Sequence, residues 1–182
     1  MGMLTNSRVE IAAPATEVFS WLTEPAKLTA WLGGAGGMPE DSSVLEPGWT
    51  STTDVPPVGK TTIEIVTWEP PRRLDYLTTY AGGDAHTSYQ LAEGDGVTTL
   101  VCESDTDWAR PEGLWDSALD AAVAGQPEAV RDAVEQQLDQ MEDKLDAGMF
   151  DGMAQGQMQS ALDASMQKLK ALVEAGSPPA AS

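Results

Sequence analysis

The segment Val9 to Leu32, VEIAAPATEVFSWLTEPAKLTAWL, constrains the fold more than any other stretch of this 182-residue chain. Val9 and Ile11 alternate with Glu10, the period of a half-buried strand. Pro14 follows, and proline suits the first position of a helix, where its missing N–H costs nothing. Ala15, Val18 and Leu22 fall on one helical face, with Phe19 and Trp21 beside it. Thr23 and Glu24 are cap positions before Pro25, which starts a second helix. Leu28, Trp31 and Leu32 give that helix an apolar edge, and Gly33 supplies a C-terminal stop. A strand followed at once by two small helices is an uncommon opening.

After a glycine-rich loop, GGAGGMPEDSS, the chain turns to β-structure. The loop has no lysine after it and no strand before it in the manner of a phosphate-binding loop, so it reads as a connection. Ser42 to Leu45 and Trp49 to Val55 read as two strands bent at Glu46-Pro47-Gly48, and Pro56 to Gly59 as a turn. Thr61 to Trp68 alternates, with Ile63, Ile65 and Thr67 on one face and Thr62, Glu64, Val66 and Trp68 on the other. Glu69-Pro70-Pro71-Arg72-Arg73 is a turn, because proline is kept out of central strands. Leu74, Tyr76, Thr78 and Tyr80 then share a face, as do Thr87, Tyr89 and Leu91, and then Leu100, Cys102 and Ser104. Gly82-Gly83-Asp84 turns the chain, and Gly94-Asp95-Gly96 is a hairpin signal. Strands joined by such short turns predict an antiparallel meander.

These two stretches carry a resemblance. Val9 to Leu32, with IEIVTWEPPRRLDYLTTY and HTSYQLAEGDGVTTLVCES, resembles the START-like, or SRPBCC, superfamily. The turn Glu69 to Leu74 and the hairpin Gly94 to Leu100 are similar to the branch named after the activator of the ninety-kilodalton heat-shock ATPase. Polyketide cyclases share the same helix-grip fold. The resemblance implies an α+β domain, with a curved antiparallel sheet of six or seven strands gripping a long C-terminal helix. It also implies a cavity for a hydrophobic ligand between helix and sheet.

From Pro111 the pattern becomes helical. Leu114, Trp115, Ala118, Leu119, Ala122 and Val123 form one stripe, and Val130, Val134, Leu138, Met141 and Leu145 a second. This insertion, residues 112–147, exceeds a minimal member of the superfamily and is expected to act as a lid hinged at Gly125 and Gly148. Gly148, Gly152 and Gly156 recur every fourth residue, and at ~1 kcal/mol per mid-helix glycine they predict a flexible break. Met158, Leu162, Met166, Leu169, Leu172 and Val173 form the stripe of the closing helix. A single domain over residues 1–175 is expected, with a disordered Pro/Ala/Ser-rich tail over 176–182.

Charge narrows the partners. With 29 acidic against 10 basic residues the formal net charge is −19, which disfavours nucleic acid and anionic membrane surfaces. No apolar run approaches the ~20 residues of a membrane span, and the N-terminus lacks the pattern of a signal peptide. A single cysteine, Cys102, fits a reducing cytoplasm.

The same scarcity limits the chemistry. One histidine and one cysteine leave little for nucleophilic catalysis or a zinc site, so no catalytic residue, metal or cofactor is assigned. Alternation turns His86 outward and packs Cys102 with Leu100; Arg72 and Arg73 read as structural ion-pair partners. What remains is an inward set with polar tips on apolar bodies: Tyr76, Thr78, Tyr80, Thr87, Tyr89 and Ser104, sharing a face with Ile63, Ile65, Leu91 and Leu100. Opposite them the resemblance places Met158, Leu162, Met166 and Leu169. Such a lining suits a small hydrophobic, aromatic or polyketide-like ligand. The expected function is binding of such a molecule, extending to sequestration of a toxic natural product as self-resistance. The alternatives are a polyketide cyclase or aromatase using the tyrosines, and a co-chaperone-like interaction module.

Overall fold

The structure is a computed structural model, and it describes residues 2–32, 45–55, 59–80, 83–108 and 147–176. Six antiparallel strands form one sheet among these residues: β1 (Gly2–Ile11), β2 (Thr50–Val55), β3 (Gly59–Glu69), β4 (Arg73–Tyr80), β5 (Gly83–Gly94) and β6 (Val97–Trp108). Their spatial order is β1-β6-β5-β4-β3-β2. Between β1 and β2 lie α1 (Ala15–Thr23) and α2 (Pro25–Leu32), and the long α3 (Ala147–Glu174) comes last. This is the expected α+β helix-grip architecture. The stripes at 112–146, the Gly33 stop, most of the strand expected at Ser42–Leu45 and the tail from 177 lie outside the described residues.

The first strand is far longer than its apolar letters suggest. Exposed and buried residues alternate without a fault from Gly2 to Ile11, so Met3, Thr5, Ser7, Val9 and Ile11 all point inward. Thr5 and Ser7 are polar yet buried, which hides the period from a reading based on hydrophobicity. The helices behave as expected. Ala15, Val18, Phe19, Trp21 and Leu22 are buried, and so are Leu28 and Trp31. Pro14 sits one residue outside α1 as its N-cap, and its carbonyl accepts from the N–H groups of Glu17 and Val18. Glu93 of β5 accepts a 2.8 Å bond from the Ala15 N–H, placing a carboxylate at the positive end of α1.

Three details depart from the sequence reading. A bulge between Ile65 and Thr67 shifts the register of β3, so Trp68 turns inward against the core and meets Phe19 edge to face at 5.4 Å. Leu45 lies outside any strand, and β2 begins at Thr50. The glycine break is the largest correction: Gly148, Gly152 and Gly156 all lie within the 28-residue helix α3. A side chain added at Gly152 or Gly156 would meet nothing within 4 Å, so these glycines do not mediate close packing either.

What holds this end of α3 is the edge of the sheet. Gln159 accepts from the Asn6 N–H at 3.1 Å and donates to the Asn6 carbonyl at 2.6 Å, as a neighbouring strand would. Gln155 donates to the Leu4 carbonyl, Lys170 to the Glu10 carbonyl, and Glu174 accepts from the Ala12 N–H. Four helical residues advance ~6 Å and two strand residues ~6.6 Å, so side chains one helical turn apart meet alternate backbone groups of β1. On its other side α3 seats Met166, Leu169 and Val173 in the core.

Candidate ligand-binding site

Cross-strand register arranges the concave face in rows. Behind the row of Ile11, Thr98 and Glu93 at the helix end, Val9, Leu100 and Leu91 stand side by side, all buried. The next row runs Ser7, Cys102, Tyr89, Leu74 and Trp68. Then come Thr5, Ser104, Thr87, Tyr76 and Ile65, and last Met3, Thr106, Ala85, Thr78 and Ile63. The register groups Ile63, Ile65, Leu74, Tyr76, Thr78, Thr87, Tyr89, Leu91, Leu100, Cys102 and Ser104 as the sequence alternation does, but it exchanges Thr67 for Trp68 on this face. It adds Met3, Thr5, Ser7, Ala85 and Thr106, and the period-two run from Gly2 to Ile11 is the signal that could find the first three.

Burial divides the face. Tyr76 and Tyr89 are packed beneath α1 and α2: the Tyr76 hydroxyl donates to the Leu22 carbonyl at 3.0 Å. The Tyr89 ring stands edge-on to Tyr76 at 6.1 Å and to Trp31 at 6.4 Å. Burial raises the pKa of both phenols, so both stay protonated. The Cys102 thiol beside Tyr89 is pushed up to about 12, again by burial, and it is no nucleophile at neutral pH.

Thr78, Ala85, Thr87 and Ser104 are different. They are only half-buried and adjoin one another across β4, β5 and β6. Buried Met3, Thr5 and Thr106 flank them on the β1 side, and buried Ile63, Ile65 and Tyr76 on the β3 side. The result is an accessible window in the middle of an otherwise covered face. Two of its hydroxyls are paired, Thr87 Oγ1 lying 3.1 Å from Ser104 Oγ. Tyr80, at the end of β4, is also half-buried; burial first, then Asp84 and Asp107, raise its pKa. On α3, Met166 and Leu169 are fully buried, while Met158 and Leu162 are half-buried.

The convex face has the opposite chemistry. His86 is exposed there, as expected. Asp75 is buried to 1 % exposure and gripped by Arg73, whose guanidinium reaches it at 2.8 Å. Burial alone would raise the Asp75 pKa, but the bonded Arg73 guanidinium and the neighbouring Ser88 and Thr67 hydroxyls outweigh it and hold the carboxyl below its usual range. No group of three or more His, Cys, Asp or Glu side chains that could hold a metal occurs among the described residues. No helix among them is long and apolar enough to cross a membrane.

Comparison with known proteins agrees with this fold. Residues 4–146 match the family described as polyketide cyclase / dehydrase and lipid transport. No curated protein matches the chain in sequence. Among solved structures, DynU16, a protein in the dynemicin biosynthetic locus, is similar over 97% of this chain at 17% identity and a TM-score of 0.58. The match covers 49% of DynU16, so the chain spans about half its length. Protein MLL2253 from Mesorhizobium loti is similar over 94% of this chain and 98% of its own, at 16% identity and a TM-score of 0.56. Protein BH1534 from Bacillus halodurans, at 13% identity, covers 94% of this chain and 96% of its own with a TM-score of 0.53. At such identities these likenesses establish the shared fold.

Proposed function

Because the chain belongs to the family of polyketide cyclases, dehydrases and lipid-transport proteins, we propose that it binds a small hydrophobic, aromatic molecule on the concave face of its sheet. The observation that carries this reading is the half-buried window of Thr78, Ala85, Thr87 and Ser104, set between buried flanks. A face packed purely as core would bury these central positions first, since they lie in the middle strands. An apolar recess with a few hydroxyls suits a flat aromatic ligand that carries oxygen functions. Leu162 and Met158 of α3, with Tyr80 and Ile65, complete the proposed lining. In its finer form the function is sequestration: the protein holds a toxic natural product away from its targets as a self-resistance device. The family favours a polyketide-like ligand, and the locus of DynU16 gives a natural-product setting for the same fold.

Catalysed cyclisation of a polyketide is the second reading, and the family description favours it. The buried, protonated Tyr76 and Tyr89 are poor proton-transfer groups, which ranks it below binding. The test is a titration with hydroxylated anthraquinones followed by NMR. Methyl signals of Thr78, Thr87 and Leu162 should shift together, while that of Val66, exposed on β3, stays still. Shifts spread evenly over the surface, or none, would defeat the binding reading. Incubation with a linear poly-β-ketone decides between the readings: above the protein-free rate a cyclase yields ring-closed products with loss of water, seen by chromatography and mass spectrometry, whereas a binder returns the chain unchanged.

A further inference from the structure

Charge is segregated between the two faces of the sheet. Fourteen inward positions on β1, β6 and β5 carry Met3, Thr5, Ser7, Val9, Ile11, Thr98, Leu100, Cys102, Ser104, Thr106, Ala85, Thr87, Tyr89 and Leu91, none of them charged. Ile63, Ile65, Trp68, Leu74, Tyr76, Thr78 and Tyr80 continue the series on β3 and β4. The one charged residue on this face among the described strands is Glu93, at the far end beside α1, and it already holds the Ala15 N–H. Every described strand Lys, Arg or His stands on the convex side or at a strand end: Arg8, Lys60, Arg73 and His86. Of the described lysines of α2 and α3, Lys168 is exposed and the other two are engaged. Lys27 bonds Ser20 and Glu24, and Lys170 bonds Glu10 and Glu174.

We infer that the concave site accepts uncharged ligands and rejects those carrying a carboxylate or phosphate. The inference rests on the binding reading given above and adds the ligand's charge class. An anion entering the window would lose its water and find hydroxyl groups but, among the described residues, no cation, and an unpaired buried charge is strongly disfavoured. Asp84 and Asp107, close enough to raise the Tyr80 pKa, make the local potential still more negative. Neutral phenols, quinones and ketones meet no such penalty, because Thr78, Thr87 and Ser104 can donate to or accept from them. Within a family that spans polyketides and lipids, this sets the chain against fatty acids and phospholipids.

The experiment uses three probes on one scaffold: 2-naphthalenemethanol, 2-naphthoate and 2-naphthalenemethylammonium, titrated into the full chain by calorimetry at pH 7.5. The alcohol should bind, and the carboxylate should bind at least about tenfold more weakly. A carboxylate that binds as tightly as the alcohol, or more tightly, overturns the inference and leaves the binding reading standing. If none of the three binds, and the anthraquinones also fail, the binding reading falls and takes the inference with it. Thr87→Lys supplies the absent cation in the window. With its fold verified by circular dichroism, this variant should reverse the preference in favour of 2-naphthoate. Thr78→Lys serves the same purpose if Thr87→Lys does not fold, and an unchanged preference in a folded variant counts against the inference.

Discussion

The two halves of the concave face are built by one rule and end in different states. Strand alternation aims Leu100, Tyr89 and Tyr76 inward in the same way as Ser104, Thr87 and Thr78. The first set lies under α1 and α2 and is buried, with the Tyr76 hydroxyl bonded to the Leu22 carbonyl. The second set keeps access to solvent, and its Thr87 and Ser104 hydroxyls pair with one another. The sheet therefore decides which residues face inward, and the helices decide which of those become core and which become wall. A side chain's chemistry alone does not separate the two, since a tyrosine serves as core at position 76 and is half-buried at position 80.

Mutations can break or sharpen this contrast. The largest effect is expected in the closed half. Leu100 is fully buried, so Leu100→Ala should cost about 2–5 kcal/mol in urea denaturation, from lost burial and the cavity left behind. A loss below about 1 kcal/mol would show that the closed half is loosely packed. Next comes the convex control, where a buried charge does have its partner. Asp75→Asn should cost about 1.5–3 kcal/mol at pH 7, because bonds to a charged acceptor are lost. The Asp75 pKa is lowered on folding, so its contribution is present above the unfolded value of about 3.9 and fades as pH falls through the folded value. Wild type and Asp75→Asn should accordingly converge in stability below about pH 4, and a gap that widens in acid would reverse the assignment.

Smaller changes test the hydroxyls. Tyr76→Phe leaves the buried Leu22 carbonyl without its donor and should cost about 1–2 kcal/mol. Thr87→Val removes an exchangeable bond in the open half, and it should change stability by less than about 1 kcal/mol while weakening ligand binding measurably. If Tyr76→Phe and Thr87→Val behave alike in both assays, the division of the face is wrong.

Much of this design could be read from the residues. Asp95 and Gly96 both adopt positive φ, 53° and 78°, as an Asp-Gly hairpin requires, and that turn fixes the β5–β6 register. Once the register is fixed, the grouping of Tyr89, Leu91, Leu100 and Cys102 follows. Reading failed where a tertiary neighbour outweighed a local preference. Thr5 and Ser7 look like surface residues because their burial depends on β6 and α3, which are remote in sequence, Thr5 pairing with Ser104 and Ser7 with Cys102. Trp68 changes face through a bulge that no residue type marks. Gly152 and Gly156 argue for a break, and each carries a local cost, but Gln155 and Gln159 fasten that stretch to β1. The half-buried window was equally invisible in the sequence, because accessibility at Thr78 and Thr87 is a property of what covers them.

The fastening of α3 to β1 also sets an order of events. The bonding partners lie between 151 and 162 residues apart, so the strand leaves the ribosome long before the helix that covers its border. Throughout that interval the N–H and C=O groups of Leu4, Asn6, Glu10 and Ala12 face outward as a template for another strand. A nascent chain, or one cut short before Gln155, carries an open border that α3 otherwise covers. Synthesis of α3 and protection of β1 from self-association thus coincide.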